Sequence, residues 1–262
     1  MWGAALSSQA SMLYWFGLSL LWIPIALLVW IFALMGRKNL FGRFPLFAAY
    51  ASYMVVDLVL KAIFLSNWHI YFYVYWFAEP GEIVLSVLAV HESFLLIFRD
   101  FYRLSWFRLL FPGTIGMALV YSAWKAYVHP PVHVGAIGSL IISIAITTQY
   151  IILGISILFF LLARFIHVRW RLYEFRIVLG FGIASLLYAF GGVLRSESGT
   201  DFVFLSEYLP GVGYVLAACI WLSAMLAEEP KNGDNLADIS HLQLLEELRL
   251  QLKTVRKFLG QD

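Results

Sequence analysis

Residues 70–98 read IYFYVYWFAEPGEIVLSVLAVHESFLLIF, an apolar stretch long enough to cross a bilayer. The same stretch carries four ionisable side chains, and two of them flank a Pro-Gly pair: Glu79, Glu82, His91 and Glu92. Ionisable groups at membrane depth are costly and usually face a helix-bundle interior or a wet cavity. This segment is therefore predicted to be an interior helix of a membrane protein, and these four residues are the first candidates for a ligand, ion or proton site.

The composition of the whole chain is that of a polytopic membrane protein. The 262 residues are 62% hydrophobic and 13% charged, whereas soluble domains are about a quarter charged. The single cysteine, Cys219, excludes internal disulfides, and we expect it to be a buried thiol because it lies in an apolar run. No basic residue precedes Arg37, so we expect no cleavable signal peptide.

Apolar segments divide the chain into seven predicted transmembrane helices, which gives an all-α fold. At about 1.5 Å per residue, each segment is long enough to span a hydrocarbon core of about 30 Å. Their predicted ranges are 12–35, 45–65, 70–98, 106–127, 137–163, 174–194 and 208–227.

Basic residues set the predicted orientation, because cytoplasmic loops are enriched in Lys and Arg. Three alternate connectors are basic, and the opposite side has only Lys125 and Arg195 near its segment ends. The basic connectors contain Arg37, Lys38, Arg43, Arg99, Arg103, Arg108, Arg164, Arg169, Arg171 and Arg176. With seven spans, this pattern places the N-terminus outside and the C-terminus in the cytoplasm. For a bacterial chain, the membrane is the cytoplasmic (inner) membrane, and the lipid bilayer is the first partner.

A polar cluster is predicted between the second and third helices. Asp57 and Lys61 are four residues apart and therefore share a helix face. Counting outward from the turn at 66–69, Asp57 and Glu79 reach similar depth, and Glu82 lies one turn deeper. One lysine does not balance three carboxylates, so at least one carboxyl group is expected to be protonated, hydrated or paired elsewhere. Two interpretations remain open, a structural clasp between two helices and a ligand or proton site.

Catalytic, metal and cofactor motifs are not found in the sequence. His91-Glu92 begins a metalloprotease motif, but the second histidine would have to be residue 95, which is Leu95. His91 is the only histidine well inside the apolar layer, so a bis-histidine haem lacks its second ligand. We therefore expect no catalytic residue, no metal, no cofactor and no nucleic-acid partner. His91 is expected to be a buried histidine hydrogen-bonded to a neighbour.

The chain changes character after the seventh predicted helix. Residues 1–227 form the predicted transmembrane domain, 228–238 form a linker with Pro230 and Gly233, and 239–262 form a short cytoplasmic segment. Within that segment, 239–259 is predicted to be an amphipathic helix with apolar residues at 3-4-3-4 spacing. These are Leu245, Leu248, Leu252, Val255 and Leu259. This face predicts contact with a second copy or another protein, and the inner leaflet is the alternative surface.

Two stretches carry a resemblance to known proteins: FPLFAAYASYMVVDLVLKAIF (44–64) and YFYVYWFAEPGEIVLSVLAVHESFLLIF (71–98). They resemble uncharacterised seven-helix bacterial inner-membrane proteins. The membrane part, about 12–227, is also similar to the seven-helix sensor modules that precede bacterial signalling domains. The resemblance implies a seven-helix fold and a sensing role, and it assigns no functional residue.

The leading hypothesis from the sequence is a non-enzymatic membrane protein of sensor-like or scaffold type. The alternative is a small transporter or proton-coupled carrier that uses Asp57, Lys61, Glu79 and Glu82. A carrier is expected to show inverted repeats and paired broken helices. The sequence has one candidate break, at Pro80, and no evident repeat.

Overall fold

The computed structural model describes residues 2–97, 105–128, 136–165, 173–197 and 203–227. This part of the chain is helical and contains no strand. Its seven α-helices are α1 (Trp2–Arg37), α2 (Pro45–Ile63), α3 (Trp68–Ile97), α4 (Ser105–Val128), α5 (Ala136–Phe165), α6 (Tyr173–Glu197) and α7 (Val203–Leu226). The all-α class is confirmed, and most helix ends fall within about three residues of the predicted ones. The exceptions are the starts of α1 and α7, which begin ten and five residues earlier than predicted.

Six of these helices are long and apolar enough to cross a membrane: α1, α2, α3, α5, α6 and α7. All seven belong to one compact unit that ends at Leu226. Residues 228–262 lie outside the described part, so the predicted linker and the amphipathic helix 239–259 stay predictions.

Helix packing brings side chains of α2, α3, α6 and α7 into the bundle interior. α2 packs between α1 and α3, and α7 packs against α1 and α6. α3 also packs against α5 and α6, while α4 packs against α5. Side chains of α2, α3, α6 and α7 therefore share the bundle interior.

A group of buried aromatic side chains fills the interior at the end of the bundle where α2 and α6 begin and α7 ends. We call it the aromatic block: Phe47, Tyr50, Phe181 and Trp221. The Trp221 ring centroid lies 5.4 Å from that of Phe47 and 4.9 Å from that of Phe181, and its Nε1 donates to the Ile177 carbonyl oxygen at 3.0 Å.

The indole of Trp221 fits because α6 has no side chain at Gly180. A Cβ on that glycine would lie 2.7 Å from Cε2 of Trp221, so only glycine lets α6 and α7 approach here. The aromatic block is consequently closely packed.

The connector between α1 and α2 is held to α6 at the same end of the bundle. Asn39 adopts a left-handed conformation with φ 53°, a single 3₁₀ turn follows over Leu40–Gly42, and Arg43 then pairs with Glu174 at 2.7 Å. Arg176, one turn inside α6, donates to the Ser223 carbonyl oxygen of α7 at 2.5 Å. Basic side chains therefore link the α1–α2 connector to α6, and α6 to α7, at this end.

The outer surface of the helices carries large apolar side chains, as a lipid-facing surface requires. Trp22, Trp30, Phe77 and Met117 are among those exposed. Cys219 is exposed as well, so the expectation of a buried thiol is wrong. An apolar run in a membrane helix faces lipid as readily as the interior, and apolar neighbours therefore do not imply burial.

Candidate functional site

Asp57 and Lys61 form a buried ion pair on α2. Lys61 Nζ lies 2.6 Å from Asp57 Oδ2, and the two side chains are only 12% and 1% exposed. The pair is the one that the four-residue spacing predicts, and its formation is confirmed. A pair in this environment requires both partners, because either charge alone would be buried without compensation.

Glu79 and Glu82 join this pair from α3. Both lie close enough to Asp57 and Lys61 for direct electrostatic interaction. The hairpin that joins α2 to α3 brings them together, as the depth count from the turn predicts. We call Asp57, Lys61, Glu79 and Glu82 the acidic cluster.

A close approach of α2 and α3 fixes the position of the two glutamates. Tyr53 Oη donates to the Ala78 carbonyl oxygen at 2.8 Å, and a Cβ on Gly81 would lie 2.5 Å from Cζ of Tyr53. α3 runs through Pro80 and Gly81 as one helix, so the break considered at Pro80 is not observed. Gly81 therefore provides room for the Tyr53 ring.

The acidic cluster carries more carboxyl groups than cations. Lys61 is the cation that interacts electrostatically with both Glu79 and Glu82. Neither glutamate forms an ion pair at hydrogen-bond distance with a described residue. Both side chains keep partial exposure, unlike Asp57. An excess of carboxyl groups over cations at this place favours the binding of a further cation.

Five tyrosines from four helices lie within electrostatic reach of the carboxyl groups of the acidic cluster. We call them the tyrosine shell: Tyr50, Tyr53, Tyr75, Tyr188 and Tyr214. Lys61 Nζ lies over the Tyr75 ring, 5.3 Å from its centroid, in a cation–π arrangement. The sequence pattern did not predict these tyrosines at the site. Helical spacing could have indicated Tyr50, Tyr53 and Tyr75, because they lie on the same two helices as the acidic cluster. Tyr188 and Tyr214 come from α6 and α7 and reach the site through tertiary packing.

Two polar atoms at this site are buried without a hydrogen-bond partner in the described part of the chain. They are Asp57 Oδ1 and Tyr214 Oη. Tyr50 and Tyr214 lie close enough to interact, but the Tyr214 hydroxyl group does not form a hydrogen bond with Tyr50. Buried polar atoms normally have a partner, so each of these two marks a place where another group is expected.

Glu92 lies apart from the acidic cluster and holds the start of α2. Its Oε1 accepts from Leu46 N and its Oε2 from Phe47 N, both at 3.0 Å. These N–H groups belong to the first turn of α2, which has no side-chain cap of its own at Phe44. Glu92 follows Glu82 by ten residues, about 15 Å along α3. We therefore assign this candidate to helix capping.

His91 also lies away from the acidic cluster, with its ring packed on Phe111 of α4 at a centroid distance of 4.2 Å. Among the described residues, no three His, Cys, Asp or Glu side chains come together as a metal site requires. Of the six predicted candidates, the structure brings four together and places two elsewhere on α3.

The aromatic block closes the interior on one side of the acidic cluster. Phe47 precedes Asp57 by ten residues on α2, which is about 15 Å. Between the two lies Tyr50, which belongs to both the tyrosine shell and the aromatic block. The acidic cluster therefore has a tightly packed floor toward the end that carries Lys38 and Arg43.

Six apolar helices long enough to span a bilayer, with a buried ion pair on one of them, define a multi-pass helical membrane protein. The chain matches no protein-family model, no curated protein and no solved structure.

Proposed function

We propose that this chain is a non-enzymatic, sensor-like membrane protein of the bacterial cytoplasmic membrane, and that the acidic cluster receives the signal. The observation that carries the proposal is the position of the acidic cluster, whose Asp57–Lys61 pair is buried and which has the aromatic block on one side. A polar site that is blocked on one side by packed aromatic side chains suits ligand binding better than transport across the membrane.

The proposed topology has seven spans, with the N-terminus outside. α4 is 24 residues long, about 36 Å, which is sufficient for the seventh span. Arg37, Lys38, Arg43 and Arg176 lie at the same end of the bundle as the aromatic block, which supports placing that end in the cytoplasm. In this orientation, the acidic cluster lies between the aromatic block and the outside of the cell.

A small carrier is the second candidate, because intramembrane carboxyl groups are common in proton-coupled transport. Two observations favour the sensor. α3 is continuous through Pro80, whereas carriers commonly use broken helices at their sites. Among the described residues, the aromatic block fills the interior beyond the acidic cluster with closely packed side chains, and Gly180 lies against the Trp221 indole there.

Cysteine labelling tests the orientation first. In a Cys219→Ala background, we expect an impermeant maleimide to label Asn67→Cys from outside intact cells and Lys38→Cys only from the cytoplasmic side of inverted vesicles. Ser198→Cys should behave like position 67, and Arg103→Cys and Arg169→Cys like position 38, although these three residues lie outside the described part of the chain. Labelling of position 103 from outside intact cells would refute the orientation.

The same method separates a sensor from a carrier. Glu79→Cys is expected to react from outside only, because Glu79 is partly exposed above the floor. Ser93→Cys is the matched control, since Ser93 lies deeper on α3 and is fully buried, and it should react from neither side. Reaction of position 79 from both sides, or of position 93 from the cytoplasm, would favour the carrier.

Output is proposed to pass through the segment 239–259, which we expect to contact a second copy or another protein. We predict that Leu248→Asp with Leu252→Asp abolishes self-association or partner capture while the helix bundle stays folded. The measurement is the oligomeric state in detergent with thermal unfolding as the folding control. An unchanged oligomeric state, together with peptide 236–262 becoming helical only on anionic vesicles, would favour membrane-surface binding instead.

A further inference from the structure

We infer that the acidic cluster binds a small ammonium compound that carries N–H groups, held between Glu82, Asp57 and the tyrosine shell. This inference rests on the proposed function and names the ligand class for its site.

The first reason is that two buried polar atoms of the bundle interior lack a partner in the described part of the chain. Asp57 Oδ1 is a carboxylate acceptor, and Tyr214 Oη belongs to a hydroxyl group that can accept as well as donate. The Asp57 side chain is 1% exposed, so bulk water does not satisfy it. A group that donates several hydrogen bonds in different directions would satisfy both atoms, and a primary ammonium donates three.

The second reason is charge. Lys61 supplies one positive charge near three carboxyl groups, and its hydrogen bond goes to Asp57. Glu79 and Glu82 then have no ammonium of their own at hydrogen-bond distance within the described part. A second cation would stabilise them where water is scarce.

The third reason is the chemistry of the shell. Tyrosine faces attract ammonium groups, and aromatic cages are a common means of recognising them. Lys61 already shows this contact, since its Nζ lies beside Asp57 and over the Tyr75 ring. Tyr188 of α6 and Tyr214 of α7 carry the same type of ring within electrostatic reach of Glu82.

Binding of radiolabelled butylamine at neutral pH tests the inference, using the full-length protein in phosphatidylglycerol nanodiscs. We expect saturable binding of one butylammonium per chain. Tetramethylammonium, which has no N–H group, and butanol, which has no charge, should compete about tenfold or more weakly, because each lacks one of the two interactions.

Variants locate the binding site. Tyr214→Phe and Glu82→Gln should each weaken butylamine binding about tenfold. Tyr214→Phe removes one oxygen atom and keeps the ring, so it reports on binding even where Glu82→Gln folds poorly. Glu92→Gln is the matched control, being an acid on the same helix outside the acidic cluster, and it should bind like the wild type.

The ammonium group could belong to a soluble amine or to a lipid head group. Nanodiscs that contain phosphatidylethanolamine distinguish these sources, because a head group in the site would reduce butylamine binding and a soluble ligand would not be affected. No saturable butylamine binding, equal competition by butanol, or unchanged binding in Tyr214→Phe would overturn the ligand class. Outside-only labelling at position 79 would still support the sensor proposal in that case, so the two failures are distinguishable.

Discussion

Replacing Lys61 by methionine is expected to lower the free energy of unfolding by about 3 to 5 kcal/mol, the usual cost of removing one partner of a buried ion pair. Asp57 would lose its ion-pair partner at 1% exposure, and its Oδ1 has no partner in the described structure even now. Glu79 and Glu82 would lose their nearest cation as well. The measurement is unfolding by dodecyl sulfate in mixed micelles.

The double variant Lys61→Met/Asp57→Leu decides whether the pair itself is responsible. Removing both partners takes away the orphaned charge, so the double variant should lose clearly less stability than Lys61→Met alone. Lys61→Arg keeps the positive charge and serves as the conservative control. Equal stability of the single and double variants would argue that Asp57 and Lys61 do not form the pair.

The acidic cluster was predictable from the sequence because local rules determine its geometry. Helical spacing places Asp57 beside Lys61, and a short hairpin sets the depth of Glu79 relative to them. Both rules act within about 25 residues of chain, and the ion pair formed as they predict.

The tyrosine shell was not predictable in the same way. Tyr188 and Tyr214 approach Glu82 because α6 and α7 pack against each other and around the interior. No spacing within α3 carries that information. In the same way, nothing in the sequence identifies Trp221 as the side chain that occupies the space left by Gly180.

His91 and Glu92 show a second limit of sequence reasoning. An intramembrane acid is by default a candidate functional residue, and Glu92 qualified by depth and charge. Its partners are backbone N–H groups 45 and 46 residues away, at the start of another helix. The first turn of any helix has N–H groups without an intrahelical partner, whatever its sequence. A cap that comes from a residue distant in the chain therefore cannot be predicted from the residues around the helix start.

Glu92→Ala is therefore expected to lower the free energy of unfolding by about 2 to 4 kcal/mol, because it leaves the N–H groups of Leu46 and Phe47 without an acceptor. The carboxylate also lies at the positive end of the α2 dipole, which adds to its contribution. In the Glu92→Ala variant, amide hydrogen exchange should increase relative to the wild type more at the start of α2 than at its end. Unfolding in mixed micelles measures the total effect.

Two controls make this prediction specific. Glu92→Gln keeps an acceptor oxygen and should lose about half as much stability. Ser93→Ala changes the neighbouring buried residue, whose hydroxyl donates within its own helix to the Ala89 carbonyl oxygen, and should cost about 1 kcal/mol or less. If Glu92→Ala proved no more destabilising than Ser93→Ala, Glu92 would not be the cap of α2, and its carboxyl group would return to the set of candidate ligand and proton sites.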